Sequence, residues 1–162
     1  MIEDDYEQVL KVIIDCLKRK RTIFIAGNGG SSSQASHFSA ELIGKGFSCV
    51  ALNDSSVITA LANDLGYEYV FSSYLTALGQ EGDVFIGVST SGKSQNILNA
   101  ITTASNLRIK SVFLVSKRDY LCENVADLYL CTFSDNTQIS QEGHLSILHK
   151  LYLDLLAYLG VK

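Results

Sequence analysis

Apolar and polar positions along this chain fall into two alternating patterns. Val9, Leu10, Val12, Ile13 and Leu17 recur at helical spacing, which predicts an amphipathic helix over residues 6–18. The run Ile23-Phe24-Ile25-Ala26 then predicts a strand over 21–26, followed by a helix over 34–43 and a short strand over 47–52. Asp54 or Ser55 is placed to cap the next helix, which Gly66 interrupts and which resumes over 69–78. Strand over 83–88, helix over 94–105, strands over 110–115 and 126–131, and a long helix over 138–158 complete the series. Residues 84–88 and 111–115 are near-continuous apolar runs, as expected of parallel strands covered on both faces. The expected fold is α/β: a three-layer α/β/α sandwich around five parallel strands.

Two of the predicted strands open into loops rich in glycine and hydroxyl groups. The first is Gly27-Asn28-Gly29-Gly30-Ser31-Ser32-Ser33, and the second is Ser89-Thr90-Ser91-Gly92-Lys93-Ser94. Glycines let main-chain N–H groups turn inward, and the helix that follows adds its positive N-terminal end. Both loops lie at carboxyl ends of strands, where open α/β sheets bind ligands. Together they point to a phosphorylated ligand.

Composition narrows the setting. With 162 residues, 47% of them hydrophobic, the chain has material for one sizeable core, and one domain is expected over 1–162. No apolar run approaches the roughly 20 residues of a membrane span. The acidic start Met1-Ile2-Glu3-Asp4-Asp5 lacks the basic and apolar parts of a signal peptide, so a cytoplasmic protein is expected. A net charge of −4 gives no global basic field to attract nucleic acid, so a phosphate must be held by local geometry. Cys16, Cys49, Cys122 and Cys131 form no CxxC pair and read as reduced thiols.

The groups able to do chemistry lie on two predicted helices. His37 and Glu41 are one turn apart on the helix after the first loop. Gln141 and His149 are about two turns apart on the last helix, with His144 between them. Each taken singly has an ordinary structural use. The four together fit either a divalent-metal site or an acid/base pair with supporting ligands. Nothing local in the sequence brings the two helices together.

An ordered set of motifs extends these readings. Gly27-Asn28-Gly29-Gly30-Ser31, His37-Phe38-Ser39-Ala40-Glu41-Leu42, Thr59-Ala60-Leu61-Ala62-Asn63-Asp64, Gly79-Gln80-Glu81-Gly82-Asp83-Val84, Ser89-Thr90-Ser91-Gly92-Lys93-Ser94 and Gln141-Glu142-Gly143-His144 with His149 follow one another in this order. Over roughly residues 20–158 the chain resembles the phosphoheptose isomerases of the sugar-isomerase (SIS) domain superfamily. The resemblance implies a flavodoxin-like sandwich and a homotetramer or dimer with shared active sites. It also implies isomerisation of sedoheptulose 7-phosphate to D-glycero-D-manno-heptose 7-phosphate, for heptose synthesis. Two other activities fit the same scaffold: aldose–ketose isomerisation of a different sugar phosphate, and non-catalytic protein binding of the kind seen in replication-initiator-associating relatives.

Carried over by resemblance, a zinc ion, one per subunit, falls to His37, Glu41, Gln141 and His149. Substrate contacts fall to Asn28, Gly29, Gly30, Ser31, Glu41, Asn63, Asp64, Ser89, Thr90, Ser91, Ser94 and Gln141. Glu41 and His149 take the acid/base roles. The chain departs from the family pattern at Lys93, where Asn is common, at Gln138, where Asp is common, and in a shortened segment after Glu41 that carries Lys45. It also begins too late for the family's additional first helix, which is expected to weaken or alter the tetramer.

Overall fold

The computed structural model describes residues 2–116 and 124–161, with side chains from residue 6 onward. Cys122 therefore lies outside the described residues. The elements run α1 (Ile2–Lys18), β1 (Ile23–Gly27), α2 (Gly30–Ile43), β2 (Cys49–Ala51), α3 (Ser55–Leu65), a 3-10 turn (Tyr67–Tyr69), α4 (Val70–Leu78), β3 (Val84–Ser89), α5 (Gln95–Asn106), β4 (Lys110–Val115), β5 (Leu128–Cys131) and α6 (Thr137–Leu159). All five strands are parallel, in the order β2-β1-β3-β4-β5. This is the flavodoxin-like order, and the chain reverses its winding between β1 and β3.

Side chains alternate across the sheet and feed two apolar layers. Ile23, Ile25, Val84, Ile86, Val112 and Leu114 face a layer with Val9 and Ile13 of α1, Phe38 and Leu42 of α2, and Leu148 and Leu151 of α6. Phe24, Ala26, Phe85, Phe113 and Tyr129 face the opposite layer, with Val70, Phe71 and Leu75 of α4 and Ile97 and Ile101 of α5. Helices α1, α2 and α6 thus share one side of the sheet, which is what lets the two helices with candidate chemistry meet.

Helix α3 lies at the margin of the second layer, with Ile58, Leu61 and Ala62 half-buried against it. The Asp54 side chain caps it by accepting from the Val57 N–H at 3.0 Å, and Gly66 ends it at φ 105°, a conformation that favours glycine. None of its residues is buried.

Helix α2 starts four residues earlier than the serine-rich sequence predicts. Gly29 turns the chain at φ 55°, and the N–H groups of Ser31, Ser32 and Ser33 then bond back to the Asn28 and Gly29 carbonyls at 3.0–3.3 Å. Residues 30–33 therefore form the first turn of the helix and not a loop.

Candidate active site

The first glycine-rich loop is shorter and tighter than expected, and its parts are placed separately. With the serine N–H groups engaged, the main-chain donors that remain at this end of α2 are those of Gly29 and Gly30. Gly30 leaves room for the Gln141 amide: a Cβ there would sit 2.6 Å from Nε2 of Gln141 on α6 and would push that amide aside. Ser31 is buried in the first helical turn, packed against Gly27. The Asn28 amide pairs with Asn96 at the start of α5, at 2.9 and 3.0 Å, and accepts from the Tyr67 hydroxyl at 2.8 Å.

The second loop gathers its hydroxyls. Ser89 Oγ lies 3.0 Å from Ser94 Oγ and 3.4 Å from Ser91 Oγ, and Ser91 Oγ accepts from the Lys93 N–H at 3.2 Å. Gly92 makes this turn at φ 66°. Beside it opens a cleft of about 290 Å³ whose walls include Thr90, Ser91, Lys93, Ser116, Asp135 and Ser140. The register Gly27↔Val88 and Ile25↔Ile86 sends the two loops off adjacent strands side by side.

Across the seam between α2 and α6, His37 Nε2 and His149 Nε2 stand 3.0 Å apart, and His37 Nε2 is 3.8 Å from Glu41 Oε1. Ligand atoms of His37, Glu41 and His149 all lie within 4.8 Å of one another. Glu41 Oε2 is buried and takes no hydrogen bond. Two imidazole nitrogens and a carboxylate with an unsatisfied buried oxygen form a donor set that could hold a metal ion. Gln141 lies two turns earlier on α6, with its side-chain amide over Gly30.

Gln34 was not legible as a member of this seam. Its Nε2 donates to the main-chain oxygen of Gln141 at 2.5 Å, although 107 positions separate them, and its Oε1 is buried without a partner. The available signal was its place on the α2 face, three residues before His37 and seven before Glu41.

The remaining expected residues are placed differently. Asn63 and Asp64 are exposed at the end of α3, where Asn63 Nδ2 donates to Asp64 Oδ1 at 2.8 Å. Among the described residues no hydrogen bond joins them to either loop or to the histidine seam. His144 is fully buried, and burial pushes its imidazole below the ordinary range against a smaller upward pull from the Val115 backbone. It is a core residue on α6, outside the three-residue cluster.

A parallel sheet with hydroxyl-rich loops on both sides of its switch point is the architecture of a sugar-phosphate-binding SIS domain, and the SIS domain family model matches residues 2–116. A phosphoheptose isomerase of Helicobacter pylori is 41% identical over 157 residues, spanning 93% of this chain and 82% of that protein. Phosphoheptose isomerase 1 of Campylobacter jejuni is 40% identical over 158 residues, spanning 93% and 85%. The solved phosphoheptose isomerase of Neisseria gonorrhoeae superposes with a TM-score of 0.91 at 31% identity, covering 97% of this chain and 88% of that one. The chain therefore belongs to the phosphoheptose isomerase family.

Proposed function

We propose that the protein isomerises sedoheptulose 7-phosphate to D-glycero-D-manno-heptose 7-phosphate, a step in heptose synthesis. The observation that carries this reading is the meeting of His37, Glu41 and His149 on a scaffold whose relatives are phosphoheptose isomerases.

The phosphate is held by the Ser89, Ser91 and Ser94 hydroxyls and by Ser31 with the Gly29 and Gly30 N–H groups. Thr90 and Asn28 contribute at the rims of the two loops, and the Lys93 ammonium adds a cation beside the second. Asn63, Asp64 and Gln141 complete the sugar contacts. Glu41 removes the proton from the carbon next to the carbonyl. The C–H electron pair becomes the C=C bond of an enediol, and the carbonyl oxygen takes a proton from His149. Glu41 then returns its proton to the neighbouring carbon, and the new carbonyl forms as its hydroxyl proton leaves to His149. The two carboxylate oxygens of Glu41 are differently placed, one facing His37 and one buried without a partner. His37, Glu41, Gln141 and His149 would hold zinc, which would polarise the sugar's carbonyl and hydroxyl oxygens; Glu41 and His149 carry out the proton steps only where they are not fully committed to the ion.

The working form is a homo-oligomer, a dimer or tetramer of this chain. The support is α3, which carries Asn63 and Asp64, buries none of its residues and leaves Val57 and Leu65 exposed. A reducing, cytoplasmic setting is supported by the free thiols of buried Cys16 and Cys49. No helix among the described residues is long and apolar enough to cross a membrane.

Incubation with sedoheptulose 7-phosphate, with aldose formation followed directly, tests the reading. Turnover of that ketose is expected. Activity confined to a different ketose phosphate would overturn the substrate, and no isomerase activity with zinc supplied would overturn the reaction.

A further inference from the structure

We infer that Asn96 is a positioning residue for phosphate binding, a strut that holds the loop after β1 in register with the loop after β3. The inference rests on the reading that the two loops share one phosphate.

The geometry is a closed pair of amides. Asn28 Nδ2 donates to Asn96 Oδ1 at 3.0 Å, and Asn96 Nδ2 donates back to Asn28 Oδ1 at 2.9 Å. The Ile97 N–H also donates to Asn96 Oδ1 at 3.0 Å, which settles which end of the Asn96 amide is oxygen. The Asn28 amide is then oriented by its partner and presents its oxygen to the Tyr67 hydroxyl at 2.8 Å. Every polar atom of both side chains therefore has a partner, and Asn96 is only 3% exposed. A fully satisfied polar pair with one member buried favours one arrangement, because any other leaves the Asn96 amide unpaired.

Its position gives the pair leverage. Asn28 precedes Gly29, the N-cap of α2, and Asn96 is the second residue of α5 after the N-cap Ser94. Strands β1 and β3 are adjacent in the sheet, but their loops diverge into helices in opposite layers. Among the described residues the Asn28–Asn96 pair is the side-chain bond that spans these loops. Tyr67 brings in the turn after α3, and Asn99 Nδ2 fastens the same turn through the Glu68 carbonyl at 2.9 Å. The opening turns of α5 thus hold the loop after β1 and the segment that follows Asn63 and Asp64. Among the described residues His37, Glu41 and His149 have no hydrogen bond to this network, so its loss acts on anion binding and not on proton transfer.

The test is steady-state kinetics of Asn96→Ala, with inorganic phosphate as a competitive probe. KM for the sugar phosphate and the phosphate inhibition constant are each expected to rise about tenfold, the size of one lost productive interaction. The turnover number is expected to stay within about threefold. Asn28→Ala combined with Asn96→Ala is expected to be no worse than the more severe single variant, since both remove the same pair. Tyr67→Phe is expected to give a smaller rise, about two- to threefold. An Asn96→Ala enzyme with wild-type KM and phosphate inhibition overturns the inference, as does full additivity with Asn28→Ala. Should Asn96→Ala fail to fold, Asn96→Asp keeps the acceptor for Ile97 and adds a carboxylate that the helix N-terminus favours. Retained phosphate inhibition in that variant also overturns the strut. Wild-type enzyme insensitive to phosphate would overturn the shared-phosphate reading, separately from the heptose assignment.

Discussion

His37 Nε2 and His149 Nε2 meet at 3.0 Å although 112 positions separate them in the chain. The two rings are within hydrogen-bond distance, and a cation between them would replace that bond with two lone-pair contacts. Zinc titration of chelator-treated protein is expected to give about one ion per chain. His37→Ala and His149→Ala are each expected to weaken zinc by at least about tenfold, the low end for disturbing even an outer partner of a metal ligand. Unchanged zinc affinity in both variants would rule out this seam as the metal site.

Glu41→Gln preserves the shape of the side chain and removes the base. Turnover is expected to fall by roughly two or more orders of magnitude, the scale of a general acid–base group, with the phosphate inhibition constant nearly unchanged. A wild-type rate in this variant would mean that the assigned proton transfer is wrong even though the fold is right.

Gln34 offers a pair of contrasting substitutions. Gln34→Glu turns the donor facing the Gln141 carbonyl into a second acceptor, and is expected to cost about 2–3 kcal/mol at neutral pH. Gln34→Met removes the donor together with the unpartnered Oε1, so its cost is expected to be about 1 kcal/mol or less. Urea unfolding of both variants checks the order; the reverse order would show that the amide does not join α2 to α6.

The pH dependence of stability follows from His144. Burial lowers its pKa in the folded protein, so the unfolded chain binds the proton first as pH falls below the ordinary value of about 6.5. Stability is therefore full above that value and declines as pH falls from it towards the folded-state pKa. The drop in Tm between about pH 7.5 and about pH 5.5 is expected to be larger for the wild type than for His144→Gln. Thermal scans with equal drops would exclude His144 as a contributor.

Exposed Val57 and Leu65 on α3 predict association through this helix. Light scattering at micromolar concentration is expected to show at least a dimer. Val57→Lys with Leu65→Lys is expected to shift it towards monomer without loss of helix content. A fully active monomeric wild type would refute an active site shared between subunits.

Much of the fold was legible because its signals are local. Apolar runs at 84–88 and 111–115, the Asp54 cap and the Gly66 stop each act within a few residues, and the strand over 110–115 agrees residue for residue. The start of α2 was misread because serine and glycine usually mark loops, whereas the Gly29 turn lets the serines enter a helix. His37 and Glu41 were legible as a pair one turn apart, and His149 as a residue about two turns beyond Gln141 on the last helix, but their meeting was not. Gln34, Tyr67 and Asn96 were not, because an amide or phenol gains its role only from partners 107, 39 and 68 positions away.

The strand order also dictates when the His37–Glu41–His149 cluster can exist during synthesis. A ribosome that has released β1 to β4 has delivered His37 and Glu41 on a helix that can already pack against the sheet. His149 is still to come, on the helix that follows the edge strand β5 and returns to cover α2. No growing chain short of α6 can assemble the three-residue cluster. The cluster therefore arises only once α6 has been made, and a product that stops after β4 lacks His149 and cannot form it.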